Sequence, residues 1–249
     1  MAVETRVVYG PPPLTRICRA LLIINAAAWL TLFALARFPI GDSLYYWVAL
    51  VPKEVVTRLA LWQLVTTMFV HDLARVQHLL FNMISLYFFG PALESKVGSS
   101  PFLRLYMISG LVGSVCTVAL AYGLAAASPG HAMLPELPVV GASGAIFGVL
   151  VAYAIEFPAS TILLFFIIPV KARTLAIGLL AFNAFFLILG ANTGVAYSAH
   201  LGGALGGWLY YRKIMLGPPR SRRPGPPKSK KAKEGKVIEG RFRDIMKDV

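Results

Sequence analysis

Ser143 and His200 are the two residues of this chain least accounted for by their surroundings. Ser143 lies in Gly141-Ala142-Ser143-Gly144-Ala145-Ile146-Phe147-Gly148, and His200 in Ala199-His200-Leu201-Gly202-Gly203-Ala204-Leu205-Gly206-Gly207. Each sits near the start of an apolar run long enough to cross a bilayer, where polar and ionisable side chains are costly and rare, so the two point to chemistry. A serine hydroxyl becomes a useful nucleophile when a base takes its proton, and a neighbouring imidazole is the usual base. The oxyanion formed on attack then needs donors. The Ser143 backbone N–H, at a helix N-terminus without an intrahelical acceptor, is one; the Asn82 amide and His78 are candidates for two more. Glu94, Glu156 and Asp72 all fall near span ends or in loops, so no acid is placed to make a third member and a Ser143–His200 dyad is the economical assignment.

Other readings of the same residues stay open at this point. A serine in a transmembrane helix often bonds its own helix backbone, His200 fits a structural or proton-handling role, and Asn82 fits a polar link between helices. A metal site built from His71, His78, His131 and His200 is disfavoured, because the spacings give no H-x-x-x-H pair and no acidic partner accompanies them. Neither metal nor cofactor is expected. Ser143 is not a nucleophile elbow of the G-x-S-x-G kind, since Ala145 occupies the last position. Cys18 and Cys116 stand in separate apolar segments and read as packing residues.

The elements that must position these groups follow from composition. The chain has 249 residues, of which 57% are hydrophobic and 14% charged, where a soluble domain carries about 25% charged residues. That deficit predicts an all-α, polytopic membrane protein. Six apolar runs approach spanning length, at 17–36, 77–93, 101–126, 140–157, 171–190 and 197–213. The first has no small-residue cleavage site behind it and reads as a retained span rather than a signal peptide. Between the first two runs, 38–77 contains Tyr45-Tyr46-Trp47, Lys53-Glu54 and Trp62-Gln63 and reads as a structured loop in the membrane interface. The run Ile162 to Ile168 is too short to cross as a helix and is expected to be an extended or interfacial connector.

Three regions result: a cytoplasmic segment 1–16, a membrane domain 17–213, and a basic cytoplasmic tail 214–249 that reads as solvated and disordered. In the tail, Ile238-Glu239-Gly240-Arg241 resembles a processing site but fits chance equally well. With both termini cytoplasmic, 20 Lys and Arg fall on the cytoplasmic side and 4 (Arg37, Lys53, Arg58 and Arg75) on the other. That bias supports the orientation, and a bacterial inner membrane is the expected location. Behind a membrane domain the basic tail argues for orientation or anionic lipid rather than nucleic acid.

Convergence of the polar residues is also legible. The second, fourth and sixth spans run the same way. Ser143 and His200 each lie about three residues in, hence about 5 Å below their helix starts, and His78 and Asn82 open the second span. Gly144 and Gly148 share one helix face, as do Gly203 and Gly207. Such small-residue faces let two helices approach closely. Packing them together would bring Ser143 to His200.

These residues resemble the rhomboid family of intramembrane serine proteases. The resemblance covers about 60–213 and rests on Gly141-Ala142-Ser143-Gly144, on Ala199-His200 with Gly203 and Gly207, and on His78-Leu79-Leu80-Phe81-Asn82. Glu94-Ser95-Lys96-Val97-Gly98-Ser99 and Trp62-Gln63 also fit the family pattern. It implies a six-helix rhomboid fold, a catalytic Ser143–His200 dyad, and oxyanion support from His78 and Asn82. It further implies cleavage of membrane proteins within or beside transmembrane segments of low helix propensity. Two positions depart from the pattern. The family often has a histidine five residues before the one at His78, where this chain has Leu73, and His71 is two residues too early. The aromatic residue that stacks on the catalytic histidine is often tyrosine and is here Phe147, which keeps the stacking face and loses the hydroxyl. Two other classes remain: a non-catalytic rhomboid-like protein that binds membrane clients, which typically lacks the serine or histidine, and a small proton-coupled transporter using His200, for which no repeat or broken helix pair is visible.

Overall fold

In the computed structural model of the protein, residues 13–164, 167–189 and 197–215 are described. The segment before residue 13, the tail from residue 216 and its Ile238–Arg241 tetrapeptide lie outside the described residues. Helix α1 (Arg16–Leu35) leads into three short helices, α2 (Pro39–Val48), α3 (Pro52–Thr57) and α4 (Gln63–Thr66), the last continuing as a 3-10 turn over Thr67–Phe69. Proline opens both α2 and α3, at the helical position where its missing N–H costs nothing. Helices α5 (Val76–Val97) and α6 (Ser99–Ala127) follow, separated by Gly98 at φ 90°, a conformation that ends one helix and starts the next at little cost only for glycine. Then come α7 (Ser143–Glu156), strands β1 (Thr161–Leu164) and β2 (Ile168–Lys171), α8 (Ala172–Ile188) and α9 (Tyr197–Tyr210), which closes in a π turn over Tyr211–Met215.

Among the described residues, α1, α5 and α6 are long and apolar enough to cross a membrane, with 20, 22 and 29 residues. The apolar helices α7 and α8 are shorter, at 14 and 17 residues. At 1.5 Å per residue, α7 spans only about 21 Å of a hydrocarbon core about 30 Å thick. The run expected to start at residue 140 becomes helical at Ser143 because Gly141 has φ 131° and its N–H donates to the Thr67 carbonyl at 3.1 Å, outside any helix.

Among the described residues, one two-stranded sheet adds to the helices. Its strands β1 and β2 are antiparallel, with Thr161 paired to Lys171 and Leu164 to Ile168, so the described ends of the apolar run Ile162 to Ile168 lie in strands. Alternating contacts across the pair satisfy the backbone of a segment too short for a spanning helix.

Helix α9 lies between α6 and α7, and glycines set both contacts. Toward α7, a Cβ placed on Gly203 would come within 2.0 Å of the Gly144 carbonyl oxygen, and one on Gly207 within 2.4 Å of the Gly148 Cα. Toward α6, a Cβ on Gly202 would meet Cys116 at 2.7 Å and one on Gly206 would meet Val112 at 2.8 Å. The backbone of α7 and the side chains of α6 therefore sit where a side chain on these glycines would have to go. The sequence pattern marked the first face and passed over the second. Around this wedge the buried core combines Leu86 and Leu93 of α5, Phe102, Leu105 and Tyr106 of α6, and Val149 and Ala152 of α7.

Glu94 fastens the start of α1 to this core. Its carboxylate is buried at 2% exposure and accepts from the Thr15 hydroxyl, the Ile17 and Cys18 backbone N–H groups and the Ser99 hydroxyl. Two of these donors are orphan amides of the first turn of α1, which an anion satisfies well.

Candidate active site

The entry to α7 is fixed from the loop elements that precede α5. Leu50 and Val139 exchange two backbone hydrogen bonds at 3.0 and 2.8 Å, and the Thr67 hydroxyl donates to the Val139 carbonyl at 2.8 Å. Gln63, 2% exposed, organises that loop from inside. Its Oε1 accepts from the Val51 N–H at 2.9 Å, and its Nε2 donates to the Trp47 carbonyl at 3.2 Å. The Trp62 indole donates to that same carbonyl at 3.0 Å. The Trp62-Gln63 pair thus acts on the site through the shape of the loop, which in turn presents Gly141 and the first turn of α7.

Ser143 is the first residue of α7, so its backbone N–H has no acceptor within the helix. Its hydroxyl is not spent on its own helix either. Ser143 Oγ lies 2.7 Å from His200 Nε2, and His200 Nδ1 lies 2.6 Å from Asn183 Oδ1 on α8. Asn183 Nδ2 donates to the Leu179 carbonyl at 2.7 Å. A carbonyl only accepts, so the amide nitrogen must face Leu179 and the amide oxygen must face His200. Nδ1 then carries the imidazole proton, and Nε2 is left with the lone pair that accepts the Ser143 proton. Phe147, one turn after Ser143, stacks on the imidazole with ring centroids 4.5 Å apart and planes 11° from parallel.

His78 reaches the same place from α5. Its Nδ1 accepts from the Asp72 backbone N–H at 3.3 Å, which puts its own proton on Nε2. That Nε2 and Ser143 Oγ border one small space, since a Cβ on Gly141 would lie 2.8 Å from the first and 3.5 Å from the second. Gly141 is therefore held to glycine twice, by its positive φ and by this vacancy. Asn82 is buried at 5% exposure and its Nδ2 donates to the His78 carbonyl at 2.7 Å, within its own helix. Among the described residues its second amide proton has no acceptor.

Four of the residues singled out from the sequence, Ser143, His200, Phe147 and His78, thus meet at the N-terminal ends of α5, α7 and α9. Gly144, Gly148, Gly203 and Gly207 form the contact that brings α7 and α9 together there. Asn183 was not singled out. Its only signal was a lone amide in the apolar stretch Ala181-Phe182-Asn183-Ala184-Phe185. His71, set aside for its spacing, is fully buried with its ring centroid 5.3 Å from that of His78.

With this geometry in hand, comparison with known proteins gives a consistent result. The Rhomboid domain profile matches residues 58–216. RHOMBOID-like protein 12, mitochondrial, of Arabidopsis thaliana is 34% identical over 159 residues, covering 62% of this chain and 46% of that protein. Rhomboid protein 1, mitochondrial, of Saccharomyces cerevisiae is 40% identical over 135 residues, 53% of this chain and 36% of that protein. Rhomboid protease GluP of Bacillus subtilis is 29% identical over 167 residues, 64% of this chain and 27% of that protein. The chain spans less than half the length of each of these three relatives. Helices of spanning length, and a family match over more than half of the sequence, make it a multi-pass membrane protein that belongs to the rhomboid family.

Proposed function

We propose that the chain is a serine endopeptidase that cleaves membrane proteins within or beside their transmembrane segments, with Ser143 as nucleophile and His200 as general base. The observation that carries this reading is the 2.7 Å contact between Ser143 Oγ and His200 Nε2. In the reaction, His200 takes the hydroxyl proton as Ser143 Oγ attacks the scissile carbonyl, then returns that proton to the leaving amine. Water, activated by the same imidazole, hydrolyses the acyl-enzyme. The Ser143 N–H and His78 Nε2–H are assigned as oxyanion donors, and the amide of Asn82, one turn along α5 from His78, as a third. Phe147 holds the imidazole plane.

In this reading α1, α5, α6, α7, α8 and α9 cross the membrane, so that residues 17–213 form the membrane domain and 38–77 lies in the outer interface. The excess of Lys and Arg in the proposed cytoplasmic segments and the tail 214–249 supports cytoplasmic termini, and we assign the protein to a bacterial inner membrane. The short α7 supports a locally thinned, water-reachable site, since its N-terminus lies below the level a full span would reach. Substrates must present an unwound stretch, because a helix hides its carbonyls. The cut is therefore expected at small residues of poor helix propensity.

The test is cleavage of a single-span reporter by the purified full chain in proteoliposomes. Ser143→Ala and His200→Ala should each abolish product while keeping the thermal unfolding temperature. Cleavage that persists in purified Ser143→Ala protein overturns the assignment.

A further inference from the structure

Asn183 is the one buried polar side chain that α8 contributes, at 4% exposure, and both halves of its amide are committed. Nδ2 is held by the Leu179 carbonyl one turn back, and Oδ1 faces His200 Nδ1 at 2.6 Å. The bond to Leu179 does more than satisfy the amide. It forbids the flipped rotamer that would point two N–H groups at the imidazole and force the proton onto Nε2, the tautomer unable to accept from serine.

We propose that Asn183 is a positioning residue for the proteolytic reaction, completing a Ser143–His200–Asn183 triad in which a neutral amide from α8 fixes the tautomer and in-plane orientation of the base. The proposal rests on the Ser143–His200 reading above and adds to it a third group on a helix that carries neither of the first two. The same amide oxygen stabilises the imidazolium that forms when His200 takes the serine proton, because a carbonyl oxygen stays an acceptor in both states. An amide suits this depth better than a carboxylate. It offers a fixed acceptor without burying a second charge in low dielectric, where an unpaired anion is costly. Two constraints act on the ring at right angles: Phe147 against its face, at 4.5 Å, and Asn183 along its edge. Besides Asn183, α8 buries Ala172 and Ala176 and packs Leu175 and Leu179 against the core, so these apolar contacts set the position from which Asn183 reaches the base.

The experiment uses the full chain in detergent and in proteoliposomes, read by cleavage of a single-span reporter and by the rate of Ser143 labelling with a fluorophosphonate, across a pH series. Asn183→Ala and Asn183→Leu should lower kcat and the labelling rate about 10- to 1,000-fold, with KM changed less than about threefold. Unfolding temperatures recorded alongside separate this loss from misfolding. Asn183→Asp should recover at least about a tenth of the wild-type rate, and its acid limb should move up by about one pH unit, because a carboxylate beside the imidazole favours the protonated ring. A purely structural amide would lower kcat and the labelling rate only as far as its loss lowers the unfolding temperature. Asn183→Ala protein with kcat within about threefold of wild type and an unmoved profile overturns the proposal. So does a loss of rate that merely tracks the loss of unfolding temperature across all three variants. Wild-type protein that neither labels nor cleaves, or Ser143→Ala protein that labels equally, overturns instead the underlying Ser143–His200 reading.

Discussion

Phe147 and His200 lie face to face, 4.5 Å between ring centroids and 11° from parallel, while His200 is hydrogen-bonded at both nitrogens. Hydrogen bonds along the ring edge leave tilt about the Nδ1–Nε2 line as the remaining soft motion, and the phenyl face opposes that motion. An aromatic pair of this kind contributes about 0.5–1.5 kcal/mol. Phe147→Ala should therefore lower kcat by about tenfold, whereas Phe147→Tyr, with the same ring face, should stay close to wild type. Reporter cleavage by the two variants checks this. Equal loss in both would mean that position 147 acts through its volume rather than its stacking.

The glycine contacts predict opposite outcomes for the same substitution. Gly203→Ala drives a methyl group to 2.0 Å from the Gly144 carbonyl oxygen, a backbone atom that moves only if α7 and α9 separate. Overpacking of this kind costs about 1–3 kcal/mol or more, and separation of the helices also pulls Ser143 from His200. Thermal stability and activity should fall together. Gly178, in the middle of α8, has nothing within 4 Å of its Cβ position. Gly178→Ala should be neutral or stabilising by up to about 1 kcal/mol, since alanine is the better helix former. Unfolding curves in detergent distinguish the two.

What the sequence made legible was whatever departs from an apolar background. A serine and a histidine stand out in hydrocarbon, and glycines four apart announce a shared face, so the pairing of α7 with α9 is legible in the residues alone. Asn183 stands out no less by type. Its meaning depends on the rotation of α8 about its axis and its crossing with α9, which no local pattern encodes. A lone amide with no partner in view reads equally as a link between helices. Spacing along the chain gave no sign that His71 lies against His78, their ring centroids 5.3 Å apart, because the chain turns back before α5. The Ile162–Ile168 run was ambiguous for another reason. Short apolar runs fit a strand or a helix, and only pairing with a second segment decides between them.

Glu94 shows how a residue at a span end can matter as much as one in the site. With four donors converging on one buried carboxylate, Glu94→Ala strands two amides at the start of α1 and two hydroxyls. Loss of charge-assisted bonds to buried groups should destabilise the fold by about 2–4 kcal/mol. Glu94→Gln should fall between, because its amide nitrogen brings a donor to a place where only acceptors fit. Far from Ser143, neither variant should change the pH profile of whatever activity remains. Thermal unfolding beside a pH–rate series tests both statements.

His71 gives the folded state a dependence on pH of its own. Burial, then the neighbouring His78, pushes its imidazole down to about 3, against about 6.5 in an unfolded chain. Between those values the unfolded state takes up a proton that the folded state refuses, so this residue's contribution to stability falls as the pH falls through about 6.5. The loss amounts to about 2 kcal/mol between pH 7 and pH 5. Among the described residues its ring makes no hydrogen bond of ordinary geometry, and it faces His78, which repels a second positive charge, with Asp72 beside it in the chain. His71→Leu, of similar volume, should remove this part of the pH dependence while other titrating groups keep theirs. The measurement is the unfolding free energy in detergent at pH 7 and pH 5, for wild type and variant. Parallel slopes would show that His71 does not titrate on unfolding, and a shallower slope in the variant is the expected result.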